Sequence, residues 1–455
     1  MHYEKFADGS VKCIEDEIPF ELPESWAWAR LQSFVNFIGG SQPPKSTFEY
    51  VATKDNIRLI QIRDYKTDKF LTYIPKSLAR RFCSKGDVMI GRYGPPIFQV
   101  LRGLEGSYNV ALMKAVSEPG IMLNDYLFYL LQDGELLKML ESLSDRTCGQ
   151  DGINMYELNR YIVGIPPLDE QNRITQYLIS VLPIVDNIAS NKAELESLIT
   201  QTKAKILDLA IRGQFVPQDP NAEPASVLLE RIRAEKEELI KQGKIKRDKK
   251  ESVIFRGEDN SYYEKMPDGK LHCLDDQLPF ELPDSWEWCN LSMIGTTNIG
   301  LTYRPTDIEP DGVMVFRSCN IVNDQVDLSD LVRVKTTIRE NQYAQKNDIL
   351  ICARNGSRAL VGKCALIPNL GEPASFGAFM AIYRTEYFEY IVHYLRSSFF
   401  RSVLDDSNST AINQLTQDML KRAVVPFPPI SEQRRIAGAI EAMQFELNQI
   451  EKSLS

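Results

Sequence analysis

The chain has 455 residues, about three times a usual domain length, so two or three folded units are expected. Hydrophobic residues make up 43% and charged residues 25%, ordinary for a globular protein, and no window offers the roughly 18 uncharged apolar residues of a membrane span. The net charge of −9 argues against indiscriminate coating of nucleic acid, and MHYEKFADGS lacks the basic start and apolar stretch of an export signal, so the expected setting is cytoplasmic.

That charge is unevenly spread. Between Ser41 and Ala115 there are 13 Lys/Arg against 6 Asp/Glu, a local +7, and between Gly300 and Thr385 there are 10 against 9; the remainder carries −17. A polyanion would meet these internal segments and be repelled by the rest. The eight cysteines (Cys13, Cys83, Cys148, Cys273, Cys289, Cys319, Cys352, Cys364) form no C-x-x-C, and His2, His272 and His393 are scattered. Reduced, mostly packed thiols are expected, and no metal site.

The opening YEKFADGSVKCIEDEIPFELPESWAW (Tyr3 to Trp28) returns as YEKMPDGKLHCLDDQLPFELPDSWEW (Tyr263 to Trp288), with 15 of 26 positions identical at a shift of 260. This is an internal repeat. Trp26, Trp28, Trp286 and Trp288 lie in it and are assigned to the core. From Ala29 to Gly164, short apolar runs such as IRLIQI and DVMIG alternate with Gly and Pro, the pattern of strands and loops, and Asn124 to Leu143 turns helical. KGDVMIGRYG (Lys85 to Gly94) answers KNDILICARNG (Lys346 to Gly356), and DYLFYLL (Asp125 to Leu131) answers EYIVHYL (Glu389 to Leu395). Each unit therefore reads as an α+β domain. The copies diverge most between Gly40 and Ala115 and between Gly300 and Thr385.

At PPLDEQNRI (Pro166 to Ile174), answered by PPISEQRRI (Pro428 to Ile436), the period changes. Ile174, Leu178, Val181, Val185 and Ile188 follow alternating steps of four and three, and Ile436, Ile440, Met443, Leu447 and Ile450 repeat them. This spacing makes a helix-pairing seam, although an amphipathic helix lying on its own domain would carry it too. Asp169 and Ser431 are the expected caps, Pro183 is expected to kink the first helix, and Arg212-Gly213 is expected to end it. Ser226 to Gln242 reads as a further helix with Leu228, Leu229, Ile232 and Leu239 on one side, followed by the basic linker KIKRDKK (Lys244 to Lys250). The segment from about Glu194 to Tyr262 occurs once only. The C-terminal helix could thus lie antiparallel beside the central one, in pseudo-twofold symmetry. The expected divisions are 1–165, 166–260, 261–427 and 428–455.

Enzyme signatures are not found. No G-x-x-x-x-G-K-[ST] phosphate loop is present, and GPPIF (Gly94 to Phe98) lacks the polar first residue of an amino-methyltransferase motif. No catalytic residue is assigned.

LPFELPDSWEW, the Pro-Pro-x-[DS]-E-Q-x-R-I helix starts and ILDLAIRGQFVPQDPNAEPASVLLERIRAEKEELI together resemble the specificity subunit of type I restriction-modification systems, over nearly the whole chain. The resemblance implies an α+β fold: two tandem α/β target-recognition domains separated by long antiparallel coiled-coil helices. Each domain would read one half of a split site in double-stranded DNA, and the helices would set the spacing between the halves. The resemblance further implies two docked methyltransferase subunits, which carry S-adenosylmethionine and the catalysis, and motor-nuclease restriction subunits that join for cleavage. The chain itself would hold no cofactor. Two other readings are a stand-alone restriction or methylation enzyme, which needs the missing motifs, and a coiled-coil adaptor unrelated to DNA, which leaves the +7 segment unexplained.

DNA chemistry selects the candidate contacts. Arg can make bidentate contacts to guanine or phosphate, Asn and Gln can pair with adenine, and Tyr can reach phosphate through its hydroxyl. In the first unit these are Lys45, Arg63, Tyr65, Lys66, Arg92 and Tyr93; in the second, Tyr303, Arg304, Arg317, Asn320, Arg354, Asn355 and Arg358. Gly94 and Gly356 are expected to shape loops.

Overall fold

A computed structural model describes residues 1–6, 8–93, 96–143, 152–247, 251–406 and 414–454. The expectations at Gly94, at Cys148 and at residues 248–250 of the basic run lie outside the described residues. The chain divides into two units, Met1–Ala189 and Ser190–Ser455, and the division falls inside the central helix, Leu168–Ile211.

The first unit holds two four-stranded sheets. One has the order Val35–Gly39, Leu112–Ser117, Val88–Gly91, Gln99–Arg102, all antiparallel. The other has the order Tyr73–Pro75, Asn56–Ile60, Gly106–Tyr108, Phe82–Cys83, with its two middle strands parallel. The run DVMIG becomes the strand Val88–Gly91, buried at all four positions because both of its faces are covered. Side chains alternate across a strand, so Val88 and Ile90 join the core beneath the helices while Met89 joins the core toward the second sheet. The helical stretch after Asn124 is two helices, Asn124–Leu130 and Gly134–Ser142. Asp133 separates them by accepting from the amide of Leu136 at 2.9 Å, a side-chain cap.

The second unit repeats this plan. Thr296–Ile299, Met380–Arg384, Ile349–Cys352 and Cys364–Leu366 form one antiparallel sheet. Val332–Val334, Ile308–Phe316, Ala374–Phe376 and Tyr343–Ala344 form the other, again with a parallel middle pair. Ile349 and Ile351 face one core and Leu350 and Cys352 the other, as in the first copy. The repeated opening segment is also placed alike: Ala27–Arg30 pairs with Ile162–Ile165, and Glu287–Asn290 pairs with Val424–Phe427.

Each repeated Pro-Pro segment starts a helix two residues earlier than capping by Asp169 and Ser431 would place it, at Leu168 and Ile430. Pro167 and Pro429 supply the first acceptor carbonyls, at 2.9 Å to the amides of Glu170 and Glu432, so Asp169 and Ser431 lie inside the first turn. Proline costs nothing there because a helix start has no use for its missing N–H. The glutamine shared by both copies of the motif has a structural task. Buried Gln171 donates to the carbonyls of Ile121 and Pro166 and accepts from the amide of Leu123; buried Gln433 donates to the carbonyl of Pro428 at 2.8 Å.

The central helix passes through Pro183 and ends where expected, with Gly213 at φ +69°. Within the second unit its last turns, the connector helix Ala225–Lys241 and the C-terminal helix Ile430–Leu454 share one core through Ile206, Leu207, Ile211, Leu228, Leu229, Ile436 and Ile440. Lys203 bonds Glu451 at 2.6 Å, and Arg435 donates to the carbonyl of Pro217, so the C-terminal helix runs antiparallel to the end of the central helix. Among the described residues, no helix is long and apolar enough to cross a membrane.

Candidate nucleic-acid interface

In the second unit the strand order brings four separate loops to one end of the two sheets. The amide of Leu301 donates to Phe376 at 2.8 Å, the amide of Gly377 donates to Phe316 at 2.9 Å, and the amide of Arg354 donates to Phe379 at 3.0 Å. Asn355 Nδ2 donates to Ser318 Oγ at 3.3 Å. Residues 301–304, 317–320, 354–358 and 377–379 are thereby joined into one cluster. A Cβ on Gly300 would stand 2.1 Å from the carbonyl oxygen of Gly377, so only glycine admits this approach.

The first unit has the same cluster with different residues. The amide of Asn109 donates to Ile60 at 3.0 Å, that of Ser41 to Tyr108 at 3.1 Å, and that of Arg92 to Ala111 at 2.9 Å. A Cβ on Gly40 would stand 1.9 Å from the carbonyl oxygen of Asn109, the counterpart of the Gly300 approach.

The candidate side chains divide into presented and enclosed ones. Lys45 is exposed on a turn at Lys45–Thr47, and Arg63 and Lys66 are exposed around a turn at Ile62–Tyr65. Arg63 donates to Thr72 Oγ1 at 3.1 Å and lines a hollow of about 540 Å³ with Tyr50, Lys69 and Phe70. Arg92 is half-buried with its guanidinium 5.3 Å from the ring centre of Tyr93, which is exposed. In the second unit Arg304, Arg354 and Arg358 are exposed, and Tyr303 and Asn355 are half-buried. Arg317 is half-buried and donates to Asp330 Oδ2 at 2.9 Å.

Two candidates are corrected. The Tyr65 hydroxyl is enclosed without a hydrogen-bond partner, and burial raises its pKa, so it cannot reach a phosphate. Asn320 is 1% exposed and its amide is occupied: Nδ2 donates to the carbonyls of Asp327 and Asp330, and Oδ1 accepts from the amide of Arg317. It holds the loop that presents Arg317. Asp64, at the matching turn of the first unit, is likewise buried and accepts from Arg58 at 3.3 Å. Both sequences place a polar residue here to shape the turn, a role that residue type alone does not distinguish from base reading.

The seam residues also differ in their surroundings. Ile174 packs on the first unit's core, and Leu178 and Val181 are half-buried, but Val185 and Ile188 are 52% and 63% exposed. On the C-terminal helix, Ile436 and Ile440 are buried, Leu447 packs on the same core, and Met443 and Ile450 are exposed.

Sequence reasoning missed the exposed aromatics beside these cations, Phe379 above all, and Tyr50 and Phe70. The one signal at Phe379 is its place two residues after Gly377. Among the described residues, no three metal-ligating side chains lie together.

The described residues form a duplicated α+β scaffold that carries unlike loop clusters on matched backbones, each unit feeding a long helix. Residues 283–454 match the family of the type I restriction modification DNA specificity domain. The specificity subunit of the type I restriction enzyme EcoAI from Escherichia coli is 26% identical, over 94% of this chain and 79% of that relative. The EcoBI specificity subunit from Escherichia coli is 24% identical, over 99% and 86%. Two solved structures share the fold. One, described under complex assembly and conformational transition of the type I R-M system, has a TM-score of 0.57 at 16% identity, over 96% of this chain and 94% of that one. The other, the HsdS subunit from Thermoanaerobacter tengcongensis, has a TM-score of 0.51 at 15% identity, over 96% and 93%. The C-terminal part of the chain thus carries the type I specificity domain, and the chain as a whole is similar in sequence and fold to specificity subunits of type I restriction enzymes.

Proposed function

We propose that the chain reads a bipartite, asymmetric site in double-stranded DNA, one half with each unit, and performs no chemistry itself. The observation that carries this reading is the paired loop cluster: the same backbone bonds hold residues 41–45, 60–66, 92–93 and 109–111 in one copy and 301–304, 316–320, 354–358 and 377–379 in the other, with different side chains. Matched scaffolds with unlike tips suit unlike half-sites. Arg63, Arg92, Arg304, Arg317, Arg354 and Arg358 supply the cationic donors that guanine edges and phosphates require.

The central and C-terminal helices are read as the spacer between half-sites and as the scaffold for two methyltransferase subunits and the restriction subunits. S-adenosylmethionine and the methyl transfer then belong to the methyltransferase partner. A helix is a suitable ruler because it rises about 1.5 Å per residue. Electrophoretic shift assays with the purified chain alone, and with its methyltransferase partner, test the proposal. Weak binding alone and specific binding in the complex are expected; methyl transfer by the chain alone, or a complex blind to DNA sequence, overturns it.

A further inference from the structure

The two loop clusters share a feature that their sequences do not align. In the second unit the guanidinium of Arg354 lies 5.6 Å from the ring centre of Phe379. In the first unit that of Arg92 lies 5.3 Å from the ring centre of Tyr93. The backbone bonds fix the correspondence. Leu112 pairs with Gly91 and Met380 pairs with Cys352, so Tyr93 and Arg354 occupy one position, and Ala111 and Phe379 another. The aromatic partner thus comes from different strands in the two copies, yet an arginine over an exposed ring recurs at the same corner. Shared descent does not produce that arrangement, because the residues are not the descendants of one pair. A shared use of the corner does.

Phe379 has no evident structural reason to be aromatic. It is 60% exposed on the turn between Ala374–Phe376 and Met380–Arg384 and belongs to none of the described hydrophobic core clusters. Its backbone carbonyl already accepts from the amides of Ala353 and Arg354, at 2.9 and 3.0 Å, which fixes the ring beside the arginine. A ring face holds a guanidinium in one plane while leaving its outer N–H groups free to donate. An arginine held in this way loses less freedom when it engages a base.

We propose that Phe379 is a specificity-determining positioning residue of the second unit, holding Arg354 against a guanine edge, and that Tyr93 does the same for Arg92 in the first unit. The proposal rests on the DNA-reading function above. A flexible arginine would bind phosphate as readily as guanine; the stacked one favours the bidentate guanine contact.

The test uses the full chain in complex with its methyltransferase partner, assayed by DNA binding and by sequencing of methylated sites. The wild-type complex comes first, and a complex that methylates no defined site refutes the underlying function rather than this inference. With that established, R354A is expected to weaken discrimination at one guanine of one half-site about 10-fold, and F379A about 3-fold, from the loss of an exposed cation–π contact. F379W is expected to restore it. In the R354A background, F379A should change nothing further, the signature of action through the arginine. Y93L is expected to relax the other half-site. Replacing the guanine by 7-deazaguanine, which lacks the N7 acceptor, should remove the difference between wild type and F379A. An F379A complex with unchanged discrimination, equal losses at both half-sites, or an additive loss in the R354A background overturns the proposal.

Discussion

The two units have one plan but unequal interiors. In the second, Trp286 is 0% exposed; in the first, its counterpart Trp26 is only half-buried. The difference comes from the segment that occurs once. Gly213 at the end of the central helix lies so close that a Cβ would stand 2.5 Å from Pro283 Cγ and 3.2 Å from Trp286 Cζ2, and Ala225 donates its amide to Ser285 at 2.9 Å. Arg233 and Lys236 of the connector helix donate to the carbonyls of Ile254 and Ser292. The connector therefore finishes the second unit's core. In the first unit no described segment takes that place: the Phe20 ring lies 5.2 Å from Trp28 but stays 61% exposed, while its counterpart Phe280, 5.1 Å from Trp288, also packs against Phe399. Sequence identity in a repeat preserves the backbone plan, but burial depends on what the neighbouring chain covers.

The largest expected effect follows from that inequality. Trp286→Ala should cost about 3 to 5 kcal/mol in denaturant unfolding, as for a fully buried aromatic, and Trp26→Ala about 1 to 2. Equal costs would remove the connector's role in the comparison.

A second contrast lies at the repeated hairpins. Buried Arg30 donates to both carboxylate oxygens of Glu4 at 2.7 and 2.8 Å, to Glu17 at 2.8 Å and to the carbonyl of Arg160. Hydrogen bonds from Lys12 and Arg30 hold the Glu17 carboxyl down at about 2. The second unit has neutral Asn290 at that position, donating to Ser252 Oγ at 3.0 Å, and Ser252 in turn bonds Glu264. Arg30→Ala is expected to cost about 2 to 3 kcal/mol, since it strands a partly buried carboxylate, and Asn290→Ala about 1 to 2. The first unit's pairing should weaken as pH falls from about 4.5 toward 2, because the lowered Glu4 and Glu17 carboxylates favour folding while ionised and lose that advantage on protonation.

The second unit has its own acid sensitivity. Burial presses the His393 pKa down to about 3, and the imidazole has no hydrogen-bond partner at Nδ1. The unfolded chain takes up the proton near pH 6.5 while the folded one does not, so stability is full above that pH and falls between about 6.5 and 3. His393→Leu should flatten this part of the melting-temperature profile. A profile unchanged by the substitution would show that His393 is not its source. The smallest effect is expected at Lys203: its exposed pair with Glu451 at 2.6 Å should contribute less than about 1 kcal/mol, so Lys203→Ala should barely move the unfolding midpoint.

Much of this was legible in the sequence. The repeat, the strand runs around Val88 and Ile349 and the helix start at each Pro-Pro pair follow from periodicity and from residues that break it. Enclosure was not legible. Tyr65 and Asn320 have the chemistry of DNA contacts but are occupied within their own turns, whereas Phe379 has unremarkable chemistry and is presented at the tip. Composition states what a side chain could touch, and only the pairing of distant strands decides what it does touch. The seam shows the same limit: Ile436 and Val185 satisfy one spacing, yet one is buried and the other exposed.

Mapping methylated adenines in cells that carry the methyltransferase partner, with the wild-type chain and with a variant containing four extra helical residues after Ile188, tests the proposal that two readers are joined through helices that set their spacing. The same two half-sequences, set farther apart in the variant, are expected. Altered half-sequences, or an unchanged spacing, would contradict it.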